Sequence, residues 1–200
     1  MPLAFIDFEA SSLGRRGVPI EVGWVLESGE GEGHLICPAP GWEDWSAEAE
    51  AVHGIRRERL LAEGEPHGAV ARRLVEALAG CRVVASAPSW DGRWLSRLLR
   101  AAGLPRHALR LESTRTVNDE ATEPLMRFLP PRDAPDYGER RDAALALRAN
   151  LLFSACQDDA ALGPPAHRAL ADARRELALW QDIRRRTEAV LASLRQRVPA

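Results

Sequence analysis

The sequence predicts an α/β fold built on one mixed β-sheet flanked by helices. Three short apolar segments separated by glycine-rich turns open the chain and predict an antiparallel, three-stranded meander. Beyond it, segments with helical spacing of apolar residues alternate with short buried segments, which is typical of strands that join a sheet in parallel. The 200 residues contain no internal repeat, and we expect one domain spanning residues 1–200.

The meander is predicted from composition and from turn residues. Residues 3–9 form a short apolar run that ends in two acids, and we expect a central strand there. Residues 19–26 are rich in β-branched and aromatic side chains and predict the second strand. The glycine-rich segment 29–33 predicts a hairpin loop, and residues 34–38 predict a third strand closed by Pro38.

Alternating helices and strands follow the meander. Apolar residues spaced by three and four predict a helix around 70–78 that ends near Gly80. Residues 82–86 predict a buried strand, residues 92–100 the helix after it, and residues 109–113 a last short strand. This order predicts the parallel part of the sheet.

The C-terminal part of the chain is predicted to be helical. Helices are expected at about 115–129 and 139–157, on either side of a proline-rich loop at 130–137. The proline pair 164–165 opens a long final helix, of which residues 181–200 form a C-terminal extension. The apolar side of this helix packs on its own domain or on a second chain, so a homodimer is one expectation.

The charge is distributed unevenly along the chain, although the net charge is only −2. Residues 1–66 carry five arginines and thirteen acids, residues 67–163 carry fourteen and twelve, and residues 164–200 carry eight and four. An acidic first third beside a basic remainder suits a protein that holds metal cations next to a polyanion. A solvated surface of uneven composition is the simpler explanation, and charge alone favours it.

Composition excludes several classes of protein. No run approaches eighteen apolar residues, so a membrane-spanning protein is not expected. The three cysteines, Cys37, Cys81 and Cys156, are odd in number and far apart, which disfavours a disulfide framework or a CxxC zinc site. The first seven residues contain no basic side chain and end in an acid, unlike a secretory signal, and predict a cytoplasmic protein.

Asp7 and Glu9 are candidate metal ligands. They lie two residues apart on a predicted strand, so their carboxylates project from the same face. Two negative charges at the rim of an apolar core need a positive charge between them, and a hard divalent cation with oxygen ligands suits this position. The alternative for this pair is a solvated strand end.

Asp91, His167 and Asp172 are further candidates, each with an ordinary structural alternative. Asp91 follows the strand at 82–86 and opens a helix, where an N-cap or first-turn acid is common. On an ideal helix His167 and Asp172 point about 140° apart, so both reach one site only if His167 lies in the loop or first turn and Asp172 lies inside the helix. A surface histidine and an aspartate paired with Arg168 are the alternatives. We expect that loop to move without disturbing a carboxylate anchored inside the helix.

Four segments occur in a characteristic order. They are Phe5-Ile6-Asp7-Phe8-Glu9-Ala10-Ser11-Ser12-Leu13-Gly14 followed by Pro19-Ile20-Glu21-Val22-Gly23, then Val52-His53-Gly54-Ile55, Trp90-Asp91, and His167-Arg168-Ala169-Leu170-Ala171-Asp172. In this combination they resemble the DEDDh family of 3′–5′ exonucleases, which includes the polymerase proofreading subunit, ribonuclease T and oligoribonuclease. The resemblance covers about residues 3–180. Two positions depart from the family pattern, because Ser86-Ala87-Pro88-Ser89 replaces its His-Asn and Ala10 replaces its Thr.

The resemblance implies a ribonuclease H-like fold and a two-metal phosphodiester hydrolase. The implied catalytic set comprises four carboxylates and one histidine: Asp7, Glu9, Asp91, Asp172 and His167. The carboxylates would hold two divalent cations, Mg²⁺ or Mn²⁺, and the histidine would take the proton of the attacking water as a general base rather than bind metal. The implied reaction releases nucleoside 5′-monophosphates from the 3′ end of single-stranded DNA or RNA. The implied substrate-binding residues are Ala10, Ser11, Ser12 and His53.

Two other functions stay open on sequence alone. One is an oligoribonuclease-like hydrolase of very short RNAs, because the sequence does not separate DNA from RNA. The other is a catalytically idle nucleic-acid-binding or scaffold domain, which the intact set of five residues disfavours.

The aromatic residues give separate expectations. Strand alternation turns Phe8 away from the acids and into the core. Helical spacing places Trp90 and Trp94 in the core, whereas Trp42 and Trp45 stand among acids and are expected to be exposed.

Overall fold

The computed structural model describes residues 1–197 and contains a six-stranded mixed sheet. The strands are β1 (Leu3–Ala10), β2 (Pro19–Leu26), β3 (Gly31–Cys37), β4 (Glu65–Pro66), β5 (Arg82–Ala85) and β6 (Leu111–Ser113). Their order in the sheet is β4-β3-β2-β1-β5-β6. The β1–β2 and β2–β3 pairs are antiparallel, and the other three pairs are parallel. The predicted α/β class with a mixed sheet is confirmed.

The helices in the described residues include two that the sequence did not predict. They are α1 (Ala47–His53), α2 (Arg57–Glu63), α3 (His67–Ala77), α4 (Pro88–Ala101), α5 (Thr114–Thr122), α6 (Tyr137–Ala161) and α7 (Ala169–Arg197), with a 3₁₀ segment at Glu123–Phe128. The unpredicted helices are α1 and α2, whose seven residues each are too short to show apolar periodicity.

Three predicted boundaries are corrected. The hairpin loop is shorter than expected, because β3 already begins at Gly31. Helix α4 begins at Pro88 instead of residue 92, since proline is well suited to the first turn of a helix. The final helix begins at Ala169, beyond the proline pair at 164–165, so His167 lies in the loop before it.

The chain divides into two compact units. The first comprises residues 1–114 and 165–177 and contains the whole sheet. The second comprises residues 115–164 and the chain from residue 178 onward. Buried apolar side chains from the 3₁₀ segment, α6 and α7 form its core: Leu125, Leu151, Ala155, Ile183 and Leu191. The single domain over 1–200 and the homodimer stay predictions. Within residues 1–197, no helix combines the length and the apolar character that crossing a bilayer requires.

The two faces of the sheet near β1 differ in character. Alternate residues of β1 enter a core that also contains side chains of β2, α3 and α4, among them Phe8, Trp24, Leu74 and Leu98. Phe8 is only 4% exposed, which confirms its predicted place in the core. The other residues of β1, which include Asp7 and Glu9, project from the opposite face of the sheet.

Two expectations about the tryptophans are wrong. Trp94 is buried as predicted, but Trp90 is 39% exposed, since it lies one turn earlier where α4 begins. Trp42 and Trp45 are half-buried instead of exposed, because both pack against the apolar cluster of Val18, Ile20, Ile55 and Leu60.

Candidate metal centre

β1 places the first two predicted ligands on one face of the sheet. Asp7 lies opposite Gly23 of β2, and Glu9 lies opposite Glu21. Both carboxyl side chains are half-buried, because the apolar part of β1 continues almost to its end. Three acids therefore share this face of two neighbouring strands.

Asp91 approaches from the first turn of α4. It is the most buried of the predicted ligands, at 2% exposure, and its Oδ2 has no hydrogen-bond partner among the described residues. Burial raises the pKa of Asp91 to about 7, against the opposing effect of hydrogen bonds from the backbone amides of Ala87, Phe8 and Asp91 itself. An N-cap role does not account for this side chain, since the cap position of α4 is Ala87.

The start of α7 supplies the remaining predicted residues. His167 precedes the helix with a φ of 51°, the left-handed region, and is the only residue other than glycine with a positive φ in the described chain. Asp172 lies in the first turn, and its carboxylate accepts hydrogen bonds from the amides of Ala166 (2.9 Å) and Arg168 (3.2 Å). The loop position that lets both residues reach one site is confirmed.

Glu9, His167 and Asp172 come together as a cluster. One possible ligand atom from each lies within 4.8 Å of the others, and all three residues are half-buried. This spacing is suited to one metal ion, and it brings a ring nitrogen of His167 within reach of that ion. The assignment of His167 as a base and not a ligand stays a prediction.

The loop before α7 is held more firmly than the sequence suggested. The Arg168 guanidinium forms a bidentate ion pair with Glu21, with nitrogen–oxygen distances of 2.6 and 3.1 Å. The Oε2 of Glu21, one of the two oxygens in this pair, also accepts the backbone N–H of Ala169 at 3.0 Å. The expectation that the loop moves without disturbing Asp172 is wrong, because Asp172 itself binds the amides of this loop. The alternative in which the Asp172 side chain pairs with Arg168 is not what the structure contains, because Arg168 pairs with Glu21.

Sequence reasoning missed Glu21 as a functional residue. It is only 5% exposed and lies between apolar neighbours on β2. A buried acid needs a charged or hydrogen-bonding partner. The available signal was therefore an acid at position 21 in the middle of a predicted buried strand.

A glycine row on the same face lets α7 approach the sheet. Gly23 of β2 pairs with Gly33 of β3. A Cβ at Gly23 would lie 2.1 Å from the backbone nitrogen of Leu170, and one at Gly33 would lie 3.0 Å from the Leu170 Cβ. The first turn of α7 therefore packs directly on strand backbone, beside Asp7.

The electrostatics of the cluster favour an added positive charge. Burial is the main cause that raises the pKa of Asp7 from 3.8 to about 9, and the carboxylates of Asp91, Glu9, Asp172 and Glu176 add to it. Burial, Asp172 and Glu21 raise the pKa of Glu9 to about 7, with Arg168 acting in the opposite direction. The donors are mainly carboxylate oxygens, which suit hard divalent cations such as Mg²⁺ or Mn²⁺.

The four predicted substrate-binding residues lie in the same unit and have structural partners. Ala10 is buried at the end of β1, and the hydroxyls of Ser11 and Ser12 both donate to Asp44, at 3.3 and 2.5 Å. The Nδ1 of His53 accepts the amide of Ile55 at 3.0 Å, and its buried Nε2 has no partner among the described residues. Burial lowers the pKa of His53. The role of these residues in substrate binding stays a prediction.

No protein-family model matches the chain, and no curated protein matches it. Solved structures do match the chain. Exonuclease I of E. coli in complex with a dT13 oligonucleotide aligns with a TM-score of 0.61 at 16% identity, over 96% of this chain and 43% of the other. Exonuclease I of Methylocaldum szegediense aligns with a TM-score of 0.62 at 19% identity, over the same shares.

The chain shares the fold of the part of exonuclease I with which it aligns. It spans less than half the length of the exonuclease I chains that it matches. At this level of identity the likeness concerns the fold, and the chemistry has to be inferred from the residues of the metal centre.

Proposed function

We propose that this protein is a divalent-metal-dependent 3′–5′ exonuclease of the DEDDh type. Its substrate is single-stranded DNA or RNA, and its products are nucleoside 5′-monophosphates. The observation that carries the proposal is the cluster of Glu9, His167 and Asp172, together with Asp7 and Asp91, whose carboxyls lie close enough to act on each other electrostatically. The fold shared with exonuclease I, one of whose structures holds a dT13 oligonucleotide, supports it.

Four carboxylates would hold two divalent cations: Asp7, Glu9, Asp91 and Asp172. The fit rests on the unpartnered, buried Oδ2 of Asp91 and on the raised pKa of Asp7, both of which a bound cation relieves. Bound there, the cations supply Lewis-acid chemistry: they make a bound water acidic and neutralise charge on the phosphate. A site built from carboxylate oxygens has no comparable affinity for soft metals.

The protein's own groups orient the reaction. A ring nitrogen of His167 takes the proton of the attacking water, a role that histidine performs more often than any other side chain. The Glu21–Arg168 pair and the amide bonds to Asp172 fix the loop that carries His167. The water oxygen bonds to phosphorus as the P–O3′ bond breaks, and the departing O3′ stays with the shortened strand and takes up a proton from solvent.

A nuclease assay tests the proposal. Single strands of DNA and RNA of the same sequence, labelled at the 5′ end, are incubated with Mg²⁺, with Mn²⁺ or with EDTA, alongside a dinucleotide RNA. We expect a ladder that shortens from the 3′ end in the presence of metal, mononucleotide products, and no reaction in EDTA or with Asp7→Asn.

Other outcomes are diagnostic. Cleavage of a circular single strand would indicate an endonuclease and overturn the exonuclease assignment. Cleavage confined to the dinucleotide would indicate an oligoribonuclease-like enzyme. Binding without cleavage under any metal would indicate an idle nucleic-acid-binding domain. A cytoplasmic location stays a prediction of the sequence.

A further inference from the structure

A row of arginines lies along the exposed face of α4, the helix whose first turn carries Asp91. Arg93, Arg97 and Arg100 are spaced by four and three residues and so lie on one face of the helix. Arg15 and Arg16 come from the loop between β1 and β2, whose carbonyls accept hydrogen bonds from that face. These five residues are called the arginine strip.

The arginines of the strip form no ion pairs in the described part of the chain, although the acids Glu43 and Asp44 line the same pocket as Arg16 and Arg97. Other arginines of the chain, such as Arg73, Arg82 and Arg168, form ion pairs with acids. None of the five in the strip forms one within residues 1–197. Burial lowers the pKa of Arg97, and the charges of the neighbouring arginines act in the same direction, against Asp44.

Backbone carbonyls hold two guanidiniums of the strip in place. Arg93 donates to the carbonyl of Gly14 at 2.6 Å and lies over the ring of Trp90, 5.7 Å from its centroid. Arg97 donates to the carbonyls of Arg16 and Gly17, each at 2.5 Å. Carbonyls carry no net charge, so the positive charge is oriented but not cancelled. A guanidinium has five N–H donors, which leaves donors for an anion.

The strip starts within one turn of Asp91 on α4, on the other side of the helix. Arg93 follows Asp91 by two residues, which turns the two side chains about 160° apart, and Arg100 lies about 13 Å further along the helix axis than Asp91. The loop with Arg15 and Arg16 begins directly after the strand that carries Asp7 and Glu9. A nucleic-acid strand that leaves the carboxylates past the first turn of α4 would reach the strip at Arg93.

We propose that the arginine strip binds the phosphodiester backbone of a nucleic-acid strand, beyond the nucleotide that occupies the metal centre. This rests on the proposed function and extends it to several nucleotides. Like charges at a spacing of four destabilise a helix, so a polyanion that lies along this face relieves a repulsion already present. Guanidinium forks match phosphate oxygens and do not read the sugar, so the strip accepts DNA and RNA alike.

Binding in EDTA tests the strip separately from cleavage. The variant Arg15→Gln/Arg16→Gln/Arg100→Gln removes three exposed guanidiniums. Among the described residues, their only side-chain hydrogen bond is one of Arg100 within its own helix. The control Arg72→Gln/Arg106→Gln/Arg110→Gln removes three exposed arginines outside the strip. The probe is a fluorescent oligothymidylate of about twenty nucleotides, titrated at several salt concentrations and followed by anisotropy.

We expect the strip variant to bind at least ~10-fold more weakly than wild type. Its slope of log Kd against log salt should fall by about 2, because each phosphate contact with a single strand contributes about 0.7. The ratio of kcat/KM for the long strand to that for a dinucleotide should fall about tenfold. The control should bind like wild type. The variant Arg15→Lys/Arg16→Lys/Arg100→Lys should restore the slope of log Kd against log salt, since it restores the charge.

Three results would contradict the proposal that the strip binds nucleic acid. They are wild-type protein that does not bind the probe, a strip variant whose slope equals that of the control, and a Lys variant as weak as the Gln variant. If the triple Gln variant does not fold, Arg100→Gln alone should lower the slope by about 0.7. Binding through the strip without cleavage would contradict the exonuclease and leave the strip intact.

Discussion

Replacing Asp7 by Asn should stabilise the metal-free protein. The Asp7 carboxyl is half-buried among other carboxyls, and burial is the main cause that raises its pKa from 3.8 to about 9. At pH 7 the carboxyl is therefore protonated in the folded protein and ionised in the unfolded chain. The free energy of unfolding that depends on Asp7 is therefore highest below about pH 4. It falls as the pH rises from there toward 9, because only the folded protein keeps the proton.

The size of the effect follows from this linkage. Holding a proton at pH 7 on a group whose ordinary pKa is 3.8 costs about 4 kcal/mol, at about 1.4 kcal/mol for each pH unit. Asn has no charge to neutralise but needs hydrogen bonds of its own, which reduces the gain by about 1 kcal/mol. We expect Asp7→Asn to be about 2–4 kcal/mol more stable in EDTA at pH 7, or about 5–12 °C in Tm.

Thermal and urea unfolding, followed by circular dichroism in EDTA from about pH 4 to pH 8, measures this gain. The gain should shrink toward zero at the acidic end, where both forms of the protein carry a neutral side chain at position 7. Asp133→Asn, an exposed aspartate in a loop, is the matched control and should show no gain. Added Mn²⁺ should raise the Tm of wild type more than that of Asp7→Asn. An Asp7→Asn protein no more stable than wild type at pH 7, or equally stabilised at both ends of the pH range, would refute the reasoning.

Three further substitutions probe the rest of the site. His167→Ala should lower kcat by about 10²–10⁴ with nearly unchanged Mn²⁺ affinity by calorimetry, and a large loss of affinity would make the histidine a ligand. Glu21→Gln should cost about 2 kcal/mol in urea unfolding and lower kcat, because Arg168 loses its charged partner; Tm and activity equal to wild type would contradict this. Gly23→Ala should lower stability by about 1–3 kcal/mol or more, since the new methyl meets Leu170, whereas Gly138→Ala, with open space around it, should be neutral or stabilising.

The sequence was informative where a local pattern carries the chemistry. The alternation of β1 predicted that Asp7 and Glu9 share a face and that Phe8 does not, and both hold. The angle between His167 and Asp172 on a helix indicated that both reach one site only if the histidine lies in the loop or the first turn, and it lies in the loop. Each of these follows from geometry within ten residues.

The features that the sequence did not predict depend on distant contacts. Glu21 and Arg168 are 147 residues apart, and only the packed structure pairs them. The arginine strip was likewise not evident, because Arg15 and Arg16 join it through carbonyl bonds to α4 about eighty residues away. The short helices α1 and α2 gave no periodicity of their own.

β2 connects the metal centre to the packing of the fold. Gly23 lies opposite Asp7, and Glu21 lies opposite Glu9. One strand register therefore places the two acids of β1 beside the two residues of β2 that contact the start of α7. A slip of one residue would turn Gly23 and Glu21 to the other face and leave α7 facing a side chain where it now meets backbone. His167 and Asp172 would then lose their position together with the packing. The register that closes this part of the fold is therefore the one that assembles the metal centre, and an active-site defect in a β2 variant should appear together with a loss of stability.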